Sequence, residues 1–221
     1  MRSRAEDERF SADGGGGHEA VVELVAGEQF VLAARRDDRQ GGLPPAARWE
    51  FAIIDDKSPN AFAMPGGKIG FNLGMFPYAP TDDDIAVILG HEVAHVICRH
   101  GAERVSQQLG VAAAVAITGE ATKNKDPQKR QAWVAAVGLG SQLGVLLPYS
   151  RGHESEADHL GLLFMARAGY DPEKAPAFWE RFSKIGGARP PEFLSTHPAD
   201  RTRVQQLRTW MAEAKAQRPK G

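Results

Sequence analysis

Between Ile85 and Glu103 the chain reads IAVILGHEVAHVICRHGAE, three histidines and two glutamates in a mostly apolar run. His91 and His95 are four apart, so on a helix they stand one turn above the other on the same face. Two imidazoles so placed can grip one zinc ion, while the intervening Glu92 reaches a water on the metal. The competing reading is a chance histidine pair on a solvated face. The apolar setting counts against it, because buried imidazoles and a buried carboxylate need a partner such as a metal. His100 lies roughly 140° around a continuous helix from His95, which assigns it to structure or solvent and not to the same site. The longer pattern HExxHxxGxxH also fails, with Cys98 where Gly is needed and Gly101 where the third His is needed. Cys98 reads as a core thiol.

A catalytic zinc needs a third protein ligand and an open fourth position. The segment SRGHESEADHLGLLFMARAG (150–169) is rich in acids and otherwise apolar. On a helical wheel its apolar residues, Ala157 to Ala168, form one core-facing arc. Glu154 sits about 50° from the centre of that arc, Asp158 about 90°, and Glu156 about 110° on the opposite flank. An acid on the buried side needs a cation, so Glu154 is the expected ligand. Asp158, one turn on, can orient a ligand histidine or hold a proton near the leaving group. Glu156 is expected on a solvated flank, and His153 and His159 are expected to point away from the site.

These residues need a scaffold, and the rest of the sequence supplies a mainly helical α+β one. The chain has 221 residues, 42% hydrophobic and 25% charged, an ordinary globular balance. With Lys+Arg 27 against Asp+Glu 28 the formal charge is -1, which speaks against a nucleic-acid partner. A single cysteine excludes an intrachain disulfide. Residues 1–20 read as a disordered tail without the apolar stretch of an export signal. One domain is expected over 21–216, followed by a short tail, 217–221. Within it 21–36 is ambiguous between helix and strand, and 37–48 is loop. WEFAIID (49–55) has strand composition, and 58–72 reads as a turn and two short strands around Gly-Gly. Thr81 with Asp84 opens a helix. Two apolar runs, 109–119 and 133–149, flank a polar break and suggest a buried or membrane-resting hairpin, each too short to span a bilayer. A helix from His153 closes at Gly169, Asp171-Pro172 starts the next, and a last helix follows His197-Pro198 to about Ala214.

NAFAMPGGKIGF, GHEVAHVICRHGAE, SRGHESEAD with AGYDP, and STHPADRTRVQQL occur in that order. Together they resemble the membrane-associated zinc metallopeptidases that include HtpX, BepA, the CAAX prenyl endopeptidase and the Oma-type mitochondrial proteases, over about residues 51–207. The resemblance implies a gluzincin-like fold, with a small sheet packed on the HExxH helix. It implies one Zn2+ per chain on His91, His95 and Glu154, with Glu92 as catalytic base and Asp158 as the family's acid. His197 matches a histidine that can take the open zinc position in a resting state. Arg203 matches an arginine near the site. Lacking the spans of the HtpX and prenyl-protease branches, the chain is expected in the soluble, envelope-associated branch, in the periplasm and peripherally at a membrane. The first 48 residues match nothing recognisable.

The reaction so implied is hydrolysis of peptide bonds in misfolded or misassembled envelope proteins. Zinc acidifies its water and polarises the scissile carbonyl, and Glu92 moves the proton to the departing amine. An extended polypeptide is expected to pair with the edge formed by Asn60 to Met64. Arg203 is expected to contact substrate or the developing oxyanion. The alternative from another class is a chaperone-like envelope assembly factor whose zinc site is capped by His197 and cleaves rarely. A structural zinc site fits less well, since such sites close with Cys or His and have no use for a buried Glu92.

Overall fold

The computed structural model describes residues 48–185, 193–194, 197 and 201–219. The readings made for 1–20, for 21–36 and for nearly all of 37–48 lie outside the described residues.

Three strands form one small sheet: β1 (Glu50–Ile54), β2 (Ala61–Met64) and β3 (Lys68–Asn72). Its order is β1-β3-β2, with β1 parallel and β2 antiparallel to the central β3. The pairing of Ala61 with Phe71 and of Ala63 with Ile69 puts these side chains on one face. Ala61, Ile69 and Phe71 are buried there. Among the described residues the outer edge of β2 pairs with no strand.

Helix α1 (Asp82–Ile97) starts where the sequence places it. The Thr81 hydroxyl accepts the Asp84 N–H at 3.1 Å, and three aspartates in the first turn suit the positive helix end. From Asp84 to Val96 nearly every residue is buried, the behaviour of a helix apolar on all sides. It ends at Cys98, and Arg99 turns the chain with the left-handed φ of 57°. α2 (His100–Ala121) therefore leaves in a new direction.

Past α2 the chain reverses at the polar break. Asp126 accepts the N–H groups of Gln128 and Lys129, and Pro127 stands at the start of α3 (Pro127–Ser141). A π-helical turn, Gln142–Leu146, joins α3 directly to α4 (Leu147–Arg167). Pro148 lacks an N–H and its ring crowds the carbonyl one turn back, a conflict that the wider turn accommodates. One 41-residue helix results, roughly 60 Å long at 1.5 Å per residue. This corrects the sequence reading, which divided the stretch into an apolar run and a separate helix. The joined helix is long and apolar enough to cross a membrane, by length and composition.

α4 closes where Gly169 adopts φ 98°, and Tyr170 N–H reaches back to the Met165 carbonyl. Asp171 accepts the Glu173 N–H in the turn that leads into α5 (Lys174–Phe182). The last helical stretch is two pieces, α6 (Arg201–Thr209) and α7 (Met211–Ala216), divided at Trp210. α1 lies between the sheet and the pair α4–α5, and one apolar cluster joins all three layers. Where α1 crosses α4 the backbones nearly touch. A Cβ on Gly161 would stand 2.8 Å from the His91 nitrogen and 2.9 Å from the Gly90 carbonyl carbon. That approach brings the acids of α4 against the histidines of α1.

Candidate metal centre

Four side chains from three parts of the chain converge: His91 and His95 from α1, Glu154 from α4, and His197 from the segment before α6. His91 Nε2 lies 3.0 Å from both His95 Nε2 and His197 Nδ1. Glu154 places its oxygens 3.3 Å from His91 Nε2, 3.4 Å from His95 Nε2 and 3.0 Å from His197 Nδ1. A tetrahedron with metal–nitrogen bonds of about 2.0–2.1 Å has edges of about 3.3 Å, so the separations match one shared ion.

The hydrogen bonds on the outer sides of the rings make the inner side electron-rich. With Nδ1–H donated to Asp158 at 3.0 Å, a neutral His91 ring turns its Nε2 lone pair toward the group. A proton placed among such acceptors bridges two of them, whereas a metal bridges all four. Burial and Arg203 oppose a charged His91, yet Asp158 and Glu154 outweigh them and push its pKa up to about 9. Burial, with the neighbouring His91 ring, takes His95 down to about 3. Burial alone would raise Glu154; hydrogen bonds from His197, His91 and His95 reverse that and hold it ionised. The centre thus gathers a carboxylate and three imidazoles that a divalent ion fits.

Glu92 stands beside the group without belonging to it. Its side chain is buried, and among the described residues Oε1 has no hydrogen-bond partner, with His197 Nε2 3.4 Å away. Burial is the main reason its pKa is raised, which makes the carboxylate a stronger proton acceptor.

Asp158 and Arg203 lock the rear of the site. Arg203 binds Asp158 through Nε at 2.5 Å and a terminal nitrogen at 2.6 Å. Despite its burial, Asp158 is kept below the ordinary carboxylate range, chiefly by Arg203 and then by the His91 hydrogen bond. The guanidinium carbon sits 3.4 Å above the Trp179 ring, and a further nitrogen reaches the His197 carbonyl at 3.4 Å. Arg203, expected from the sequence to contact substrate or the developing oxyanion, is 4% exposed and packs against Asp158. Trp179 was not singled out from the sequence; in the amphipathic α5 it is indistinguishable from a core aromatic.

The remaining histidines divide. His159 points away, to Glu213 and the Trp210 ring. His153 also faces away from the four-residue group, but it is buried, stacked on His100 and bonded to Glu103 at 2.8 Å. His100 stays outside the four-residue group, as expected, but its ring does not point where a continuous helix would send it. Because α1 stops at Ile97 and Arg99 turns the chain, the wheel angle across 95–100 has no meaning, and the ring folds back on His95 with its Nδ1 2.9 Å from His95 Nδ1. Glu156 is exposed as expected, yet it also accepts from His100. No sequence signal marked a left-handed Arg99.

Comparison with known proteins agrees with this geometry. The chain is 34% identical over 180 residues to the mitochondrial metalloendopeptidase OMA1 of Schizosaccharomyces pombe, covering 77% of this chain and 49% of that protein. It is 33% identical over 200 residues to OMA1 of Saccharomyces cerevisiae, covering 84% and 54%. The beta-barrel assembly-enhancing protease of Escherichia coli is 29% identical over 165 residues, covering 72% and 34%. The chain thus spans about half or less of the length of these relatives. The model of peptidase family M48 matches residues 31–211, and the chain belongs to that family.

Proposed function

We propose that the chain is a zinc-dependent endopeptidase, with one Zn2+ on His91, His95 and Glu154 and with His197 as resting-state fourth ligand. The observation that carries this reading is the convergence of four side chains that could hold a metal beside a buried Glu92 whose Oε1 has no hydrogen-bond partner among the described residues. Zinc bound there supplies a Lewis acid that polarises a peptide carbonyl and acidifies water. Glu92 accepts the proton of the attacking water and returns it to the departing amine. Asp158, held ionised by Arg203, orients His91 through its Nδ1–H. Arg203 is a positioning residue for that pair.

His197 blocks this chemistry in two places at once. Its Nδ1 occupies the ligand group while Nε2 faces Glu92. The ring thereby takes both contacts that the reacting water needs, and it must withdraw before cleavage. Phe193 holds it there, with ring centroids 4.7 Å apart and the His197 N–H on the Phe193 carbonyl. An extended substrate adds to the edge of β2 that pairs with no strand among the described residues. The relatives' names, a mitochondrial metalloendopeptidase and a beta-barrel assembly-enhancing protease, support a polypeptide substrate, which we read as misfolded or misassembled envelope proteins, and the exposed apolar arm of α2 and α3 supports peripheral contact with a membrane.

The test is cleavage of casein by wild type and Glu92→Gln, each with measured zinc content. Glu92→Gln is expected to keep about one zinc per chain and lose at least ~10²-fold in rate. Glu154→Gln is expected to lose the metal. Unchanged cleavage by Glu92→Gln would place the base elsewhere.

A further inference from the structure

Behind His95, on the side away from the ligand group, more titratable side chains meet. His95 Nδ1 faces His100 Nδ1 at 2.9 Å, and His100 Nε2 faces Glu156 Oε2 at 3.1 Å. The His153 ring lies flat on His100, with centroids 4.1 Å apart and planes 17° apart, and is itself tied to Glu103. Cys98, His100 and Glu156 also bring one ligand atom each within 4.8 Å of one another. The cluster therefore admits two readings, a second metal site or a support for His95.

Proton bookkeeping separates them. His95 offers Nε2 to the ligand group, so a metal there leaves the proton of the neutral ring on Nδ1. That N–H donates to His100 Nδ1, which must then be an acceptor. The His100 proton is thereby forced onto Nε2, where it donates to the Glu156 carboxylate. A second metal on His100 would need that same Nε2 lone pair. Loading the first centre thus removes the ligand atom on which the second depends.

We propose that His100 is a positioning residue for the metal ligand His95, the middle of a chain His95–His100–Glu156 clamped by the stacked His153. This rests on the metal centre proposed above. The two ligand histidines are then held by different chemistry. His91 is backed by an ionised carboxylate locked under Arg203. His95 is backed by a neutral imidazole whose own carboxylate is 57% exposed.

The experiment is zinc affinity of the full chain, measured by chelator competition, with the visible spectrum of the Co2+-loaded protein as second readout. His100→Phe keeps a ring against His153 and removes the acceptor; it is expected to weaken zinc binding about 10–100-fold and shift the Co2+ bands. His100→Gln offers a carbonyl to His95 and an amide N–H to Glu156, and is expected to restore most of the affinity. Glu156→Ala, at an exposed site that folding tolerates, is expected to loosen zinc by less than about tenfold. Cys98→Ser is expected to leave the affinity unchanged. Wild-type affinity in both His100→Phe and Glu156→Ala overturns the proposal. So does a second zinc equivalent in wild type that Cys98→Ser removes. Failure of wild type to bind zinc, with Glu154→Gln no different, overturns the underlying metal centre instead, and the two failures are told apart by the wild-type titration.

Discussion

The 41-residue helix from Pro127 to Arg167 has two ends that invert each other's use of side chains. In α3 and the π turn no residue is buried, and Trp133, Leu139 and Leu143 stand more than half exposed. In the later part of α4, His153, Glu154 and Asp158 are buried. Ordinary partition would have put the leucines inside and the acids outside. Buried acids are stable only with compensating partners, and here histidines and Arg203 supply them. A row of exposed apolar side chains is in turn a contact surface. Charge inside and grease outside on one helix therefore mark two working regions, and only the first has its partners within the described residues.

Glycine substitution gives the sharpest test of this difference. Gly161→Val puts a branched side chain where even a Cβ stands 2.8 Å from the His91 backbone. It is expected to separate α1 from α4 and abolish zinc binding, and the smaller Gly161→Ala to cost about 1–3 kcal/mol in urea unfolding. On the arm, Gly138 and Gly140 have open space around the same position. Gly138→Ala is expected to leave zinc alone and add up to about 1 kcal/mol through helix propensity. Equal effects at 138 and 161 would erase the contrast.

Next in size come the residues behind His91. Asp158→Asn and Arg203→Ala are each expected to lower casein cleavage about 10–100-fold, in a protein that still folds. Because the two side chains form one unit with His91, the double variant is expected to be little worse than the poorer single variant. Additive losses would mean that Arg203 acts separately, on substrate.

A smaller effect, of opposite sign, is expected at the cap. His197→Ala leaves His91, His95 and Glu154 in place, so zinc content is expected to stay near one per chain. The cleavage rate is expected to rise a few-fold, as the competent open state no longer competes with the capped one. A lower rate with zinc intact would identify His197 as a working part of the reaction.

What the sequence made legible follows from which constraints are local. The i, i+4 pair of His91 and His95 and the buried flank of Glu154 depend only on helix periodicity, and the Thr81 cap and the Gly169 stop are local chemistry as well. His197 and Arg203 entered through motif resemblance, since their segment lies over 40 residues from Glu154 in sequence. The contact of His100 with the rear of His95 is not legible, because one residue, Arg99, leaves the helical region and a wheel drawn across that point assigns the wrong face. The single helix through Pro148 was missed for the converse reason. A proline normally ends such a run, and the π turn that carries the helix through it has no composition of its own.

The arm carries the smallest expected effect on the enzyme itself. Leu109 and Ile117 on α2, and Leu139 and Leu143 on the Pro127–Arg167 helix, are each more than half exposed, and the apolar window of that longer helix is unburied. Replacing Leu139 and Leu143 by Gln removes no core contact, so stability is expected to change by no more than about 0.5 kcal/mol per site. Zinc content and casein cleavage are expected to match wild type, because both leucines are solvent-exposed and neither belongs to the ligand group. Flotation with lipid vesicles is the measurement that distinguishes the arm from inert surface. Wild type is expected to float, and the Leu139→Gln, Leu143→Gln variant to float less, since each apolar side chain withdrawn from lipid forfeits about 1.5–3 kcal/mol of burial. Undiminished flotation would show that these leucines do not meet the membrane. Destabilisation by several kcal/mol would show instead that they are covered within the protein, and the contrast between the two halves of the helix would disappear.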